Sequence, residues 1–67
     1  MDRLSALAIL KACNIERGTD FHALSGDQVR ALLVEADRRK YRRPRAGSGS
    51  RARHFYAHVE RIAGKSA

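Results

Sequence analysis

Apolar positions in this chain recur at spacings of three and four, and no run alternates at a period of two, so the pattern predicts helices throughout. From Leu4 to Ile15 only Ser5, Lys11 and Asn14 are polar. Ala6, Ile9, Leu10 and Cys13 form one stripe, which Leu4, Leu7 and Ala8 widen. A first helix is predicted over 3–15, capped by Asp2 and ended by a left-handed Gly18. A helix apolar over so much of its circumference either lies at the centre of the fold or touches a second chain. In a three-helix domain the central place is the expectation, with a homodimer through this helix as the alternative.

Thr19-Asp20 can open a single helical turn through Phe21-His22-Ala23, with Phe21 plugging the end of the core and His22 at the surface. The second helix has the clearest start. Ser25 and Gln28 have the spacing of a capping box, and Leu24 and Val29 that of a hydrophobic staple. Val29, Leu32, Leu33 and Ala36 then follow the i, i+3, i+4, i+7 rule, which predicts a helix over 26–42. Pro44 turns Arg43 away from helical angles and should stop that helix between Lys40 and Arg43. The third helix, predicted over 51–63, buries Ala52, Phe55, Tyr56, Val59, Ile62 and Ala63. Pro44 to Ser50 reads as an exposed loop. The expected fold is all-α, a single small three-helix domain over 1–67.

Size sharpens that picture. A 67-residue domain buries only about 60% of the surface its unfolded chain exposes, so stability is marginal and an enclosed catalytic cavity has little room. No stretch approaches the ~20 apolar residues that cross a bilayer. The single Cys13 cannot form an internal disulfide and fits a reducing compartment, where it reads as core filler. Leu10-Lys11-Ala12-Cys13 has the outline of a lipoprotein cleavage site, but Lys11 interrupts the apolar run and the run is too short for a signal core. The cytoplasm is the expected location.

Charge is divided between the halves. Residues 1–37 carry four basic side chains against six acidic ones, a net of −2, while residues 38–67 carry ten against Glu60 alone, a net of +9. Eight of the fourteen basic side chains fall between Arg38 and Arg53 with no acid among them: Arg38, Arg39, Lys40, Arg42, Arg43, Arg45, Arg51 and Arg53. Such a cluster attracts polyanions. Arginine outnumbers lysine eleven to three, which suits fork-like hydrogen bonding to phosphate.

Part of the cluster has a plain structural explanation, because Arg38, Arg39 and Lys40 complement the negative end of the second helix. The remainder is harder to explain without a partner. Arg51, Arg53 and His54 should occupy the first turn of the third helix, where an acid would be favoured by ~0.3–1 kcal/mol. A bound phosphate would reverse the penalty. Free backbone N–H groups, the Ser48 or Ser50 hydroxyl and guanidinium forks could meet it together, and Gly47 and Gly49 would let the backbone come close. Further along, Arg51, His54, His58, Arg61 and Lys65 share one face at helical spacing. Tyr41 could stack on an unpaired base, although sealing the core edge is its simpler role.

Enzymatic chemistry finds no foothold. The glycine-serine loop lacks the Gly-x-x-x-x-Gly-Lys-Ser/Thr motif and a preceding strand, so nucleotide hydrolysis is not expected. His54 and His58 have a chelating spacing but no Cys or carboxylate beside them, and no metal or other cofactor is expected. No carboxylate pair or Ser-His-Asp arrangement stands out.

Ala36-Asp37-Arg38-Arg39-Lys40-Tyr41-Arg42-Arg43-Pro44, followed by Gly49-Ser50-Arg51-Ala52-Arg53-His54-Phe55, resembles a signature of small accessory proteins of tailed phages and prophages. Those proteins share Tyr-Arg-Lys/Arg-Pro, a short Gly-Ser-Arg loop and an aromatic-rich last helix, and the resemblance covers roughly residues 21–62. This chain departs from their Asn-Gly-Ser-Arg with Ser48-Gly49-Ser50-Arg51. The resemblance implies a phage-encoded accessory protein acting in bacterial cytoplasm and carries over no catalytic residue. The expected activity is binding of DNA or RNA through phosphate contacts by Arg38, Arg39, Arg42, Arg43, Arg45, Ser48, Ser50, Arg51, Arg53, His54, His58 and Arg61. The alternative is a modulator that docks the same arginines on an acidic host or phage protein.

Overall fold

Asp2 opens the first helix, its Oδ1 accepting the Ser5 N–H at 2.8 Å. A computed structural model describes the backbone of residues 1–41 and 48–64 and the side chains of 1–41 and 51–64. Helix α1 runs over Arg3–Ala12, α2 over Gly26–Arg38 and α3 over Ser48–Ala63, with a 3-10 turn at Phe21–Ala23 between the first two. There is no strand among the described residues. The all-α, three-helix expectation holds. Ser25 and Gln28 form the capping box in full: the Ser25 N–H donates to Gln28 Oε1 at 2.8 Å and the Gln28 N–H to Ser25 Oγ at 3.1 Å.

Both early helices end sooner than the sequence suggests, and for one reason. Helix α1 stops at Ala12 because Asn14, at φ 58, turns left-handed. The Ile15 N–H then donates to the Leu10 carbonyl at 2.9 Å and the Asn14 N–H to the Lys11 carbonyl at 3.0 Å, a Schellman pair. Helix α2 repeats the device at Lys40, φ 55, with the Tyr41 N–H on the Ala36 carbonyl at 2.9 Å and the Lys40 N–H on the Asp37 carbonyl at 3.1 Å. In each case the next residue turns back onto the core, since Ile15 is buried and Tyr41 packs against the buried cluster. The gain from burying that side chain sets the stop. Neither Gly18 nor Pro44 does so.

Helix α3 is the hub. It packs against both other helices, which barely touch each other. Phe55 and Val59 are fully enclosed, together with Ile9 of α1 and Leu32 of α2. Ala6, Ala36, Ala52 and Ala63 have no exposed surface, so small residues let the helices approach closely. Removing the Phe55 ring would cost about 3–5 kcal/mol. That is a large part of the stability open to so small a domain.

The central place expected for α1 therefore belongs to α3. Leu4 is 77% exposed and Ala8 also faces outward. The broad apolar face of α1 thus remains partly uncovered.

The segment between α1 and α2 is tied to the hub by polar contacts. The Tyr56 hydroxyl donates to the Thr19 carbonyl at 2.6 Å, and the Gly18 N–H reaches both Glu60 carboxylate oxygens at 3.2 Å. Gly18 needs its left-handed φ of 79 for this approach. Phe21 packs beside Tyr56, their ring centroids 6.1 Å apart, and closes that end of the core as expected. Arg3 Nε donates to the Ala63 carbonyl at 3.4 Å, which puts a cation on the last turn of α3.

Tyr56 makes this region sensitive to alkali. Burial, then the Glu60 hydrogen bond and charge, then Asp20, hold its phenol well above the usual value of 10.0. The unfolded tyrosine ionises first, so stability is intact below about pH 10 and falls as pH rises above it. Tyr56→Phe should cost about 1 kcal/mol near neutral pH and flatten the alkaline loss. Denaturant unfolding of both proteins at neutral and alkaline pH checks this; equal alkaline losses would contradict it.

Candidate polyanion-binding surface

The end of α2 and the body of α3 bring part of the basic cluster together. Arg38 closes α2, Arg39 is its C-cap and Lys40 follows in the left-handed position. Their charges favour the negative helix end, as the sequence suggests. Two carboxylates meet the cluster from inside. Glu35, largely buried, takes Arg39 Nη1 on Oε2 and Arg38 Nη1 at 3.5 Å on Oε1. Asp37 Oδ1 takes Arg51 Nη2 at 2.7 Å.

The Asp37–Arg51 pair corrects part of the expected site. Helix α3 begins at Ser48, so Arg51, Arg53 and His54 are its fourth, sixth and seventh residues instead of its first turn. The dipole fades within one turn, so the penalty inferred for them is small. Arg51 is moreover already matched by an acid of the same chain. Residues 48–50 are helical and not loop, because Ala52 and Phe55 anchor the helix and each upstream residue then adds one hydrogen bond. The modest reluctance of Ser and Gly to be helical, at most ~1 kcal/mol per residue, does not prevent it. Arg42, Arg43 and Arg45 lie outside the described residues, as do the side chains of Ser48 and Ser50 and all of Lys65.

The rest of the α3 stripe is present. Arg53, His54 and Arg61 are exposed, and His58 is half-buried. Among the described residues no carboxylate lies within ion-pair distance of Lys40, Arg53 or Arg61. Arg61 Nη2 lies 3.1 Å from His58 Nδ1. A guanidinium can only donate, so His58 accepts and carries its own proton on Nε2. Burial, then Arg61, then the chain's terminal amine push the His58 pKa down, which agrees with a neutral ring. That ring stacks on Tyr41, centroids 5.6 Å apart and planes 28° apart, while Tyr41 also meets Phe55 at 5.2 Å. Tyr41 thus seals the core edge. Cys13 is buried, and burial pushes its thiol up, which disfavours the reactive thiolate. No group of three or more His, Cys, Asp or Glu side chains gathers among the described residues.

Two features of the surface escape sequence reasoning. Asp37 meets Arg51 across the hairpin of α2 and α3, a contact with no signal in local spacing. Glu35 did leave one, since it stands three and four residues before Arg38 and Arg39. The left-handed Lys40 had none, because a C-terminal glycine or asparagine is what normally marks that position.

No family model, curated protein or solved structure matches the chain.

Lys40 gives a direct test of what this surface is for. A left-handed lysine costs about 1 kcal/mol that glycine would not. Lys40→Gly should therefore raise stability by about 0.5–1 kcal/mol and weaken binding to a polyanion such as heparin. Urea midpoints and heparin-column elution salt measure the two effects. A variant that gains stability and elutes unchanged would remove Lys40 from the surface.

Proposed function

We propose that this protein binds nucleic acid through the phosphate backbone, using the basic surface formed by the end of α2 and by α3. The observation that carries the reading is the charge left after internal pairing. Residues 1–34 hold four basic and four acidic side chains and are neutral. Residues 35–67 hold ten basic side chains against Glu35, Asp37 and Glu60, so they carry the whole net charge of +7. Glu60 is occupied by the Gly18 N–H, and the other two acids are spent on three arginines. Lys40, Arg53 and Arg61 remain for an outside partner, joined by Arg42, Arg43 and Arg45 from the sequence.

Backbone contacts position a protein without reading bases, so sequence preference should be slight. A helix-turn-helix is disfavoured, since the connections exceed its usual 3–4 residues. The phage-type signature makes a bacterial cytoplasm the natural setting. Among the described residues no helix is long and apolar enough to cross a membrane.

Binding should weaken linearly in log affinity against log salt. Arg53→Ala should lower that slope by about one unit, and Asp37→Asn should raise it by about one by releasing Arg51. Titration of a labelled oligonucleotide at several salt concentrations measures both. Affinity indifferent to salt, or unmoved when Arg53 and Arg61 are both replaced, contradicts the proposal.

One observation favours a second reading. Leu4 on α1 is 77% exposed and Ala8 faces outward on the same helix, so the uncovered part of α1 could join a protein contact alongside docking of the arginines on an acidic surface. A pull-down from host lysate separates the two. Partners lost on nuclease treatment support nucleic acid, whereas one protein retained at near-equal stoichiometry supports a protein-targeting modulator.

A further inference from the structure

Beside the basic surface lies a cleft of about 280 Å³, lined by Met1, Ser5, Arg39, Tyr41, Phe55 and His58. Its walls come from all three helices: the start of α1, the end of α2 and the middle of α3. Three of the six lining side chains are aromatic rings, and Tyr41 packs against both of the others. Phe55 has no exposed surface and cannot move without disrupting the core. Tyr41 rests on Phe55 and stacks on His58. The accessible rings are therefore Tyr41 and His58, held from behind by Phe55, with one polar hydroxyl (Ser5) and one guanidinium (Arg39) at the edge.

The volume falls just below the ~300–1,000 Å³ of pockets for drug-sized ligands, so it suits a single ring system. A second cleft, of about 320 Å³ beside Leu10 and Ile15, is larger but has no aromatic side chain, and its charges include Glu16. Only the first holds flat rings. Its own Arg39 is matched by Glu35, but Lys40 directly precedes Tyr41 and Arg61 lies against His58, and no carboxylate among the described residues pairs with either. A strand held by its phosphates at Lys40 and Arg61 would pass the mouth of this cleft, because these two adjoin its lining residues Tyr41 and His58.

We infer that the cleft between the start of α1, Tyr41 and His58 receives one unpaired base of a single strand, stacked against the Tyr41 ring. The inference rests on the phosphate-binding reading and adds to it a preference for single strands over duplex. Every base has a π-face, so stacking brings no requirement for a particular sequence. Phosphates supply most of the affinity, and the cleft supplies the discrimination between an open and a paired strand. The Ser5 hydroxyl can donate to or accept from the edge of the base, and the Arg39 N–H groups not engaged by Glu35 can donate to the base or to the adjoining sugar-phosphate.

The chain has no tryptophan and two tyrosines, Tyr41 and Tyr56, which makes the test direct. In full-length Tyr56→Phe, Tyr41 is the sole tyrosine emitter. This protein is titrated with a thymidine strand of roughly ten nucleotides, an abasic strand of the same length, a uridine RNA strand and a duplex. Tyr41 emission should be quenched by the thymidine or uridine strand and left unchanged by the abasic strand and the duplex. A tighter thymidine strand marks DNA as the source and a tighter uridine strand marks RNA; either supports the inference.

In the wild-type background, Tyr41→Ala should weaken thymidine-strand binding by roughly tenfold and leave abasic-strand binding alone, while Tyr41→Phe keeps the preference. Ser5→Phe, which fills the cleft from its rim, should reproduce the loss without touching Tyr41. Equal affinity for thymidine and abasic strands, with no quenching, overturns the base cleft and leaves phosphate binding standing. Failure of every strand to bind overturns both.

Discussion

The packing of α3 against both other helices is the contact on which the rest of this structure depends. Phe55 and Val59 lie fully buried between Ile9 of α1 and Leu32 of α2, and no other residues this large are so enclosed among those described. In a chain this short a single such centre must supply nearly all the apolar burial. The same helix therefore has two tasks. Its inner face holds the domain together, and its outer face carries Arg53, His54 and Arg61 into solvent. Because the core fixes the helix, it also fixes the spacing of Arg53, His54 and Arg61 along it.

That division explains how the acids are used. Glu60 stands on the helix that carries the basic stripe, yet it faces away and holds the Gly18 N–H, so it does not dilute the positive face. Glu35 and Asp37 soften the junction of α2 and α3, where like charges would otherwise be forced together. The Arg51–Asp37 pair joins a half-buried guanidinium to an exposed carboxylate and links the end of α2 to the start of α3, contributing about 1 kcal/mol at most. The pair also sets how much positive charge remains available to a partner.

Much of the fold was legible because its signals are local. The Ser25–Gln28 capping box, the Asp2 cap, the short turn at Phe21 and the apolar stripe of α3 all depend on spacings within one or two turns. The helix ends were misread for a tertiary reason: Asn14 and Lys40 turn left-handed so that Ile15 and Tyr41 can reach the core, and neither is the glycine that normally announces such a turn. The centrality of α3 over α1 was hidden too. A broad apolar face shows that a helix can be covered on many sides and not that it is, and Leu4 remains uncovered. At the surface, composition revealed the charge excess, but which arginines are already matched depends on contacts such as Asp37 with Arg51 that only folding creates.

The central claim is that negative charge on the partner's backbone is what the second half of the chain recognises. It is tested most directly by comparing a natural oligonucleotide with one of the same sequence whose phosphates are replaced by uncharged methylphosphonates. The account predicts that the uncharged strand fails to bind at concentrations that saturate with the natural one. Equal affinity for the two strands would contradict it.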